Sequence, residues 1–232
     1  GDPMMTNLFA AAGMLLILTS CGQSQPVVLP EAKRWEPVEL AFHAEVKTAN
    51  PFLVRFDAVV TAPDGRELRV PGFFDGNDVW RARVMPFAPG AWKVVTRSAE
   101  VVLEGHRFEF SCSERSAPHQ HGRLRVDGEH PHHFKFEDGS RHFMLAYECD
   151  WLWALDHGDA TMPKTKAFLD RVAGHGFNTV IVNTFAYDTS WRTGKTETED
   201  LGPPSAMPWL GTPEKPDHKR LNLAFWQHYD RM

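Results

Sequence analysis

Two patterns, each confined to one half of the sequence, predict a multidomain β plus α/β chain. The expected architecture is an immunoglobulin-like β-sandwich followed by the first βαβα units of a truncated (β/α)8 barrel. Residues 35–114 alternate apolar and polar side chains in short runs, as half-buried antiparallel strands do. From residue 122 onward that period of two gives way to continuous apolar runs and helical spacing, which indicates strands covered on both faces alternating with helices.

Ahead of both lies an address. Leu8 to Leu18 is an uncharged apolar run, too short to span a bilayer and long enough for the apolar region of a signal peptide. It ends in Leu18-Thr19-Ser20-Cys21-Gly22, which resembles a bacterial lipobox with Cys21 as the lipidated residue. Gln23 to Pro30 then reads as a tether, so residues 1–30 are expected outside the fold. The alternative for the run is a buried apolar helix. The lipobox implies attachment to the bacterial cell envelope through a lipid anchor alone, at the outer membrane or cell surface, or a periplasmic location. Cys112 and Cys149 remain, one in each domain; they either pair or stay as free thiols.

In the first domain, Val38, Leu40, Phe42 and Ala44 alternate with polar residues, as do Phe52, Val54, Phe56, Ala58 and Val60. Trp80, Ala82 and Val84 form a third run, Trp92, Val94 and Thr96 a fourth, and Phe108 with Phe110 close the series. Pro63-Asp64-Gly65, Asp75-Gly76-Asn77-Asp78 and Pro89-Gly90 supply the turns. Several such strands with no helical stretch among them predict a sandwich. It either binds glycan through an exposed face carrying Phe73, Phe74 or Trp80, or braces the domain that follows. The pattern favours the brace, because aromatic residues in alternating strands usually face inward.

The second domain, residues 122–232, opens with short hairpins around Asp127-Gly128 and Asp138-Gly139. Phe143 to Tyr147 and Asn178 to Phe185 read as buried strands. Between them, Pro163 to Gly174 reads as a helix with Ala167, Phe168, Val172 and Ala173 on one face. Asp159 or Thr161 is placed to cap it, and Gly174 or Gly176 to end it. Ser190 to Arg220 reads as a long functional connection, and a second helix begins at Leu223. This order requires a parallel sheet. A barrel needs roughly 200–250 residues, about twice what this part of the chain supplies. The chain is expected to be a truncated barrel, or else the fold is not a barrel.

Composition narrows the function. Hydrophobic residues at 42% and charged residues at 24% describe an ordinary globular chain. A net charge of -5 leaves no basic footprint for nucleic acid. With 8 Trp and 16 Phe against 3 Tyr, the chain is rich in rings that pack a core or stack on sugar faces. His119, His121, His130, His132 and His133 crowd one stretch. They fall in expected turns without cysteines or a tight carboxylate set, so no metal is assigned, and no cofactor.

Gly139 to Trp153, reading Gly-Ser-Arg-His-Phe-Met-Leu-Ala-Tyr-Glu-Cys-Asp-Trp-Leu-Trp, resembles the first barrel strand of the apiosidase-like glycoside hydrolases. Gly174-His175-Gly176-Phe177-Asn178-Thr179-Val180 is similar to that family's entry into its second strand, and Leu221 to Asp230 to its second helix. Residues 35–114 resemble the uncharacterised domain that often precedes such barrels. The chain departs from the commoner pattern at Glu148-Cys149-Asp150, so the resemblance names no sugar.

The resemblance implies hydrolysis of glycosidic bonds in a polysaccharide, on plant or algal side chains, by two carboxylates. In the resembling enzymes that pair comes from later strands, so no catalytic residue is assigned here. Barrel sites lie at the C-terminal ends of strands, which makes Glu148, Asp150, Trp153, Asn183, Tyr187 and Trp191 the candidate substrate-binding residues. Acidic and amide groups would hold sugar hydroxyls, and the rings would stack. Two further classes compete: a non-catalytic surface glycan-binding lipoprotein and a structural adhesion module.

Overall fold

The structure is a computed structural model of the chain, described over residues 25–115, 119–149, 152–183, 206–212 and 214–232. Cys21 lies outside the described residues. The chain divides into two compact units, residues 1–120 and 121–232.

Unit 1 is a β-sandwich. Its strands are β1 (Val27–Val28), β2 (Ala32–Lys33), β3 (Val38–His43), β4 (Phe56–Thr61), β5 (Glu67–Pro71), β6 (Phe73–Phe74), β7 (Val79–Val84), β8 (Gly90–Ser98) and β9 (Arg107–Ser113). One sheet runs β1-β9-β8-β4-β5 with β2 also on β9, and the other runs β3-β7-β6. β1 and β2 pair parallel with β9 while every other pairing is antiparallel. Val27 and Val28, expected in a tether, therefore belong to the larger sheet.

The expected alternation holds where it carries the core. Leu40, Phe42, Phe56, Ala58, Val60, Trp80, Ala82, Val84, Trp92, Val94, Phe108 and Phe110 are all buried in one cluster. Trp80 makes edge contact with Phe56 at 5.7 Å and donates its indole N–H to the Ala44 carbonyl at 3.0 Å. Thr96, the one polar residue in the inward series, donates to the Leu103 carbonyl at 2.7 Å and accepts the His106 N–H at 2.9 Å. Its burial therefore leaves no unmet hydrogen bond.

One strand is shorter than expected. Pro51 follows Asn50, whose side chain accepts the Phe52 N–H at 3.1 Å, and Pro51–Leu53 winds into a 3-10 turn. Phe52 and Val54 thus precede β4 rather than extend it, because a capped proline start outweighs alternation. At Gly72 a Cβ would stand 1.9 Å from the Phe56 ring, so the backbone passes where only glycine fits.

Unit 2 opens with an antiparallel meander of β10 (Leu124–Val126), β11 (Phe134–Phe136) and β12 (Arg141–His142). Then β13 (Ala146–Glu148), α1 (Pro163–Gly174) and β14 (Thr179–Ile181) form a βαβ unit with β13 and β14 parallel. Asn178 sets the register. Its side chain accepts the Leu145 N–H at 2.9 Å and donates to the Phe143 carbonyl at 2.7 Å. Helix α1 has the expected bounds but a different cap and face. Asp156, not Asp159 or Thr161, reaches the helix start and accepts the Thr165 N–H at 2.7 Å. Asp159 instead accepts from Thr161 itself. Thr165 and Val172 are buried, whereas Ala167 and Ala173 are exposed. Gly176, at φ +88°, ends the helix: its N–H reaches the Ala173 carbonyl and that of Phe177 the Val172 carbonyl, a Schellman closure.

The expected long connection contains a hairpin, β15 (Trp209–Gly211) and β16 (Pro216–Leu221), before α2 (Leu223–Arg231). Gly211 makes the hairpin possible, with φ +100° and the Lys215 carbonyl 2.5 Å from where a Cβ would lie. Phe143, Leu145, Tyr147 and Ile181, expected to be covered, are exposed among the described residues. A two-stranded parallel sheet with one crossover helix cannot shield both of its faces. Among the described residues the chain is mostly sheet with two α-helices, and no helix is long and apolar enough to cross a membrane.

Candidate functional site

β13 and β14 are parallel neighbours, so their C-terminal ends share one edge. Glu148 closes β13 opposite Ile181, and the Cys149 N–H donates to the Ile181 carbonyl at 2.8 Å just beyond it. Asn183 follows β14. Glu148 and Asn183 are both exposed, so this edge presents a carboxylate and an amide to solvent. Such groups can accept from and donate to sugar hydroxyls.

Trp153 does not join them. It is fully buried, packed edge-on against Phe225 of α2 at 4.9 Å between ring centroids. The expectation that it lines substrate is corrected: the 3-10 turn Leu152–Ala154 turns its ring into the unit 2 core. Asp150, Tyr187 and Trp191 lie outside the described residues.

The sandwich holds a second candidate. An open groove of about 1410 Å³ lies between the Pro51–Leu53 turn, the end of β5 and the end of β8. Its charges are largely matched within the fold, Arg69 to Asp57 at 2.7 Å and Arg97 to Glu104 at 2.9 Å. These residues come from four separated stretches, and no local sequence pattern marks them. Of the aromatic residues considered for glycan binding, Trp80 is core and Phe74 packs against it at 5.2 Å. Phe73 is 37% exposed, with the Arg83 guanidinium 5.1 Å from its ring.

The histidine-rich stretch serves turns. His121 Nδ1 lies 2.8 Å from Asp138 and 3.3 Å from the Ser140 hydroxyl. Among the described residues no three metal-ligating side chains converge. Cys112 and Cys149 are both buried and are not bonded to each other, and burial pushes the Cys112 thiol up.

Asp127 gives this unit an acid response. Its carboxylate accepts from Lys135 Nζ and the Glu129 N–H, both at 3.0 Å. First Lys135 and then Glu129 hold it below the usual carboxylate range. A lowered folded-state value means stability that is full above about pH 4 and is lost as the pH falls through that value. Acid unfolding of the meander is expected to begin at lower pH in the native chain than in Lys135→Met, read from amide exchange of β10 and β11. Coincident acid transitions would remove Asp127 from the account.

Residues 31–99 match the model of DUF5060, a domain of unknown function. Over 88% of its length the chain is similar to the crystal structure of a candidate glycoside hydrolase from Bacteroides vulgatus, with a TM-score of 0.67 and 27% identity. The chain spans 38% of that protein's length. By this likeness it is a glycoside-hydrolase-like, β-rich chain. The Lin-41 filamin domain matches at a TM-score of 0.28 and 13% identity, covering 36% of this chain and 82% of its own. The NK cell receptor Nkp44 matches at 0.27 and 7%, covering 39% and 99%. Both likenesses are too slight to carry an argument. No curated protein matches the chain.

Proposed function

We propose that this chain is the N-terminal portion of a lipid-anchored glycoside hydrolase that acts on plant or algal polysaccharide side chains. The residues ahead of β1 are its export signal and tether, residues 35–114 a brace, and residues 122–232 the start of an apiosidase-like (β/α)8 barrel. The observation that carries this is the likeness to the Bacteroides vulgatus protein across both units. The parallel β13-α1-β14 unit, with apolar residues exposed around it, supports the barrel reading, since parallel sheets are stable only when covered. Glu148 and Asn183 contribute one edge of the sugar site, and the two carboxylates that cleave the bond follow later in the protein.

Sugar release from a panel of plant and algal polysaccharides tests this, comparing the 232-residue chain with the extended gene product. The extended protein is expected to release sugar and the chain alone none. Release by the chain alone would overturn the placement of the catalytic pair, and no release by either would overturn the enzyme. In the extended protein Glu148→Gln is expected to lower kcat/KM about 10- to 100-fold, the loss of a charged hydrogen bond worth about 1.5–3 kcal/mol. An unchanged kcat/KM would remove Glu148 from the site.

A further inference from the structure

His157 and His228, from distant parts of the sequence, meet inside unit 2 with ring centroids 5.2 Å apart. His228 is 1% exposed, and its Nε2 lies 3.0 Å from the Leu155 carbonyl. A ring nitrogen facing a carbonyl must carry the hydrogen, so Nε2 donates, and in the neutral ring Nδ1 is bare. Nδ1 of His228 and Nε2 of His157 are both buried and both without a hydrogen-bond partner. A second proton on His157, at Nε2, would face no acceptor and would stand beside another imidazole. Desolvated charge without a partner is strongly disfavoured.

We propose that His157 and His228 form an acid-sensitive clamp that holds α2 against the turn following β13. At neutral pH the His157 ring is uncharged, and the Leu155 carbonyl anchors the helix through His228. The charged groups that act on the His157 ring do not offset a proton on it. Asp156 in the turn is engaged by the Thr165 N–H at the start of α1. On α2, Asp230 makes interactions of its own, Tyr229 packs with Phe225, and Arg231 adds positive charge toward His157.

Burial, then His228, then Arg231 hold the His157 ring below the usual histidine range. A value lowered by folding means the contact is at full strength above about pH 6.5 and weakens as the pH falls through the folded value. Acid therefore opens the clamp and loosens α2 from the Leu152–His157 stretch. Any consequence for sugar binding rests on the glycoside hydrolase reading; the clamp does not.

Amide hydrogen exchange on the 232-residue chain at about pH 7.5 and about pH 5, corrected for intrinsic rates, tests it. Amides of α2 and of Leu152–His157 are expected to lose protection about tenfold at the lower pH, a change of about 1.4 kcal/mol in the opening free energy. Amides of β4 and β8 serve as the unchanged reference. In His157→Gln, at the half-buried position, the pH response should shrink or vanish while neutral-pH protection persists. His228→Gln keeps a donor for Leu155 and should also flatten the response. Protection of α2 that is independent of pH, or the same response in His157→Gln, would overturn the clamp.

Discussion

Replacing Trp80 by alanine is expected to destabilise the sandwich by about 3–5 kcal/mol, the range for emptying a fully buried large aromatic site. The indole is completely buried, makes edge contact with Phe56, packs on Phe74, and loses its bond to the Ala44 carbonyl when truncated. Its neighbours cannot close the gap. Gly72, whose N–H donates to the Phe56 carbonyl, already presses against the Phe56 ring, which limits how far that ring can shift. The measurement is the urea dependence of protection at β4, β7 and β8 amides, followed separately from unit 2 because two units need not unfold together. A loss below about 1 kcal/mol would be the figure for an exposed residue and would restore Trp80 as a surface glycan platform.

Trp153→Ala is expected to have the second largest effect, also about 3–5 kcal/mol, confined to unit 2. Among the described residues the buried cluster there is small: Trp153 against Phe225, with Val182, Trp226 and Tyr229 partly buried around them. Trp153→Phe is the informative companion. Nε1 of Trp153 has no hydrogen-bond partner, so phenylalanine forfeits packing but no bond and should cost about 1–2 kcal/mol. A ring that lined substrate would behave otherwise, with sugar affinity falling in both variants while thermal stability held. That pattern would return Trp153 to the site.

Trp153 shows why the site was only partly legible. A tryptophan after a parallel strand is as suited to stacking on sugar as to filling a core, and the residue type does not distinguish the two. The choice rests on Phe225, far along the chain, which supplies the packing partner. Glu148 needed no such partner: ending an apolar strand places a carboxylate at its edge whatever packs elsewhere. The groove charges Asp57, Arg69, Arg97 and Glu104 were invisible for the opposite reason. Each looks like an ordinary polar residue of its own strand or turn until folding brings Arg69 to Asp57 and Arg97 to Glu104.

Local chemistry by itself determined which face of β3, β4, β7, β8 and β9 turns inward, since a period of two admits only one buried set in each. It also determined where α1 begins and ends, through Pro163 and the positive φ that Gly176 accepts. Tertiary structure decided the rest: that β1 and β2 join β9, that a hairpin occupies the connection before α2, that Asp156 caps α1, and that His157 meets His228. Each of these depends on a partner distant in sequence. Such contacts follow from chain closure and shared burial, which no window of neighbouring residues contains.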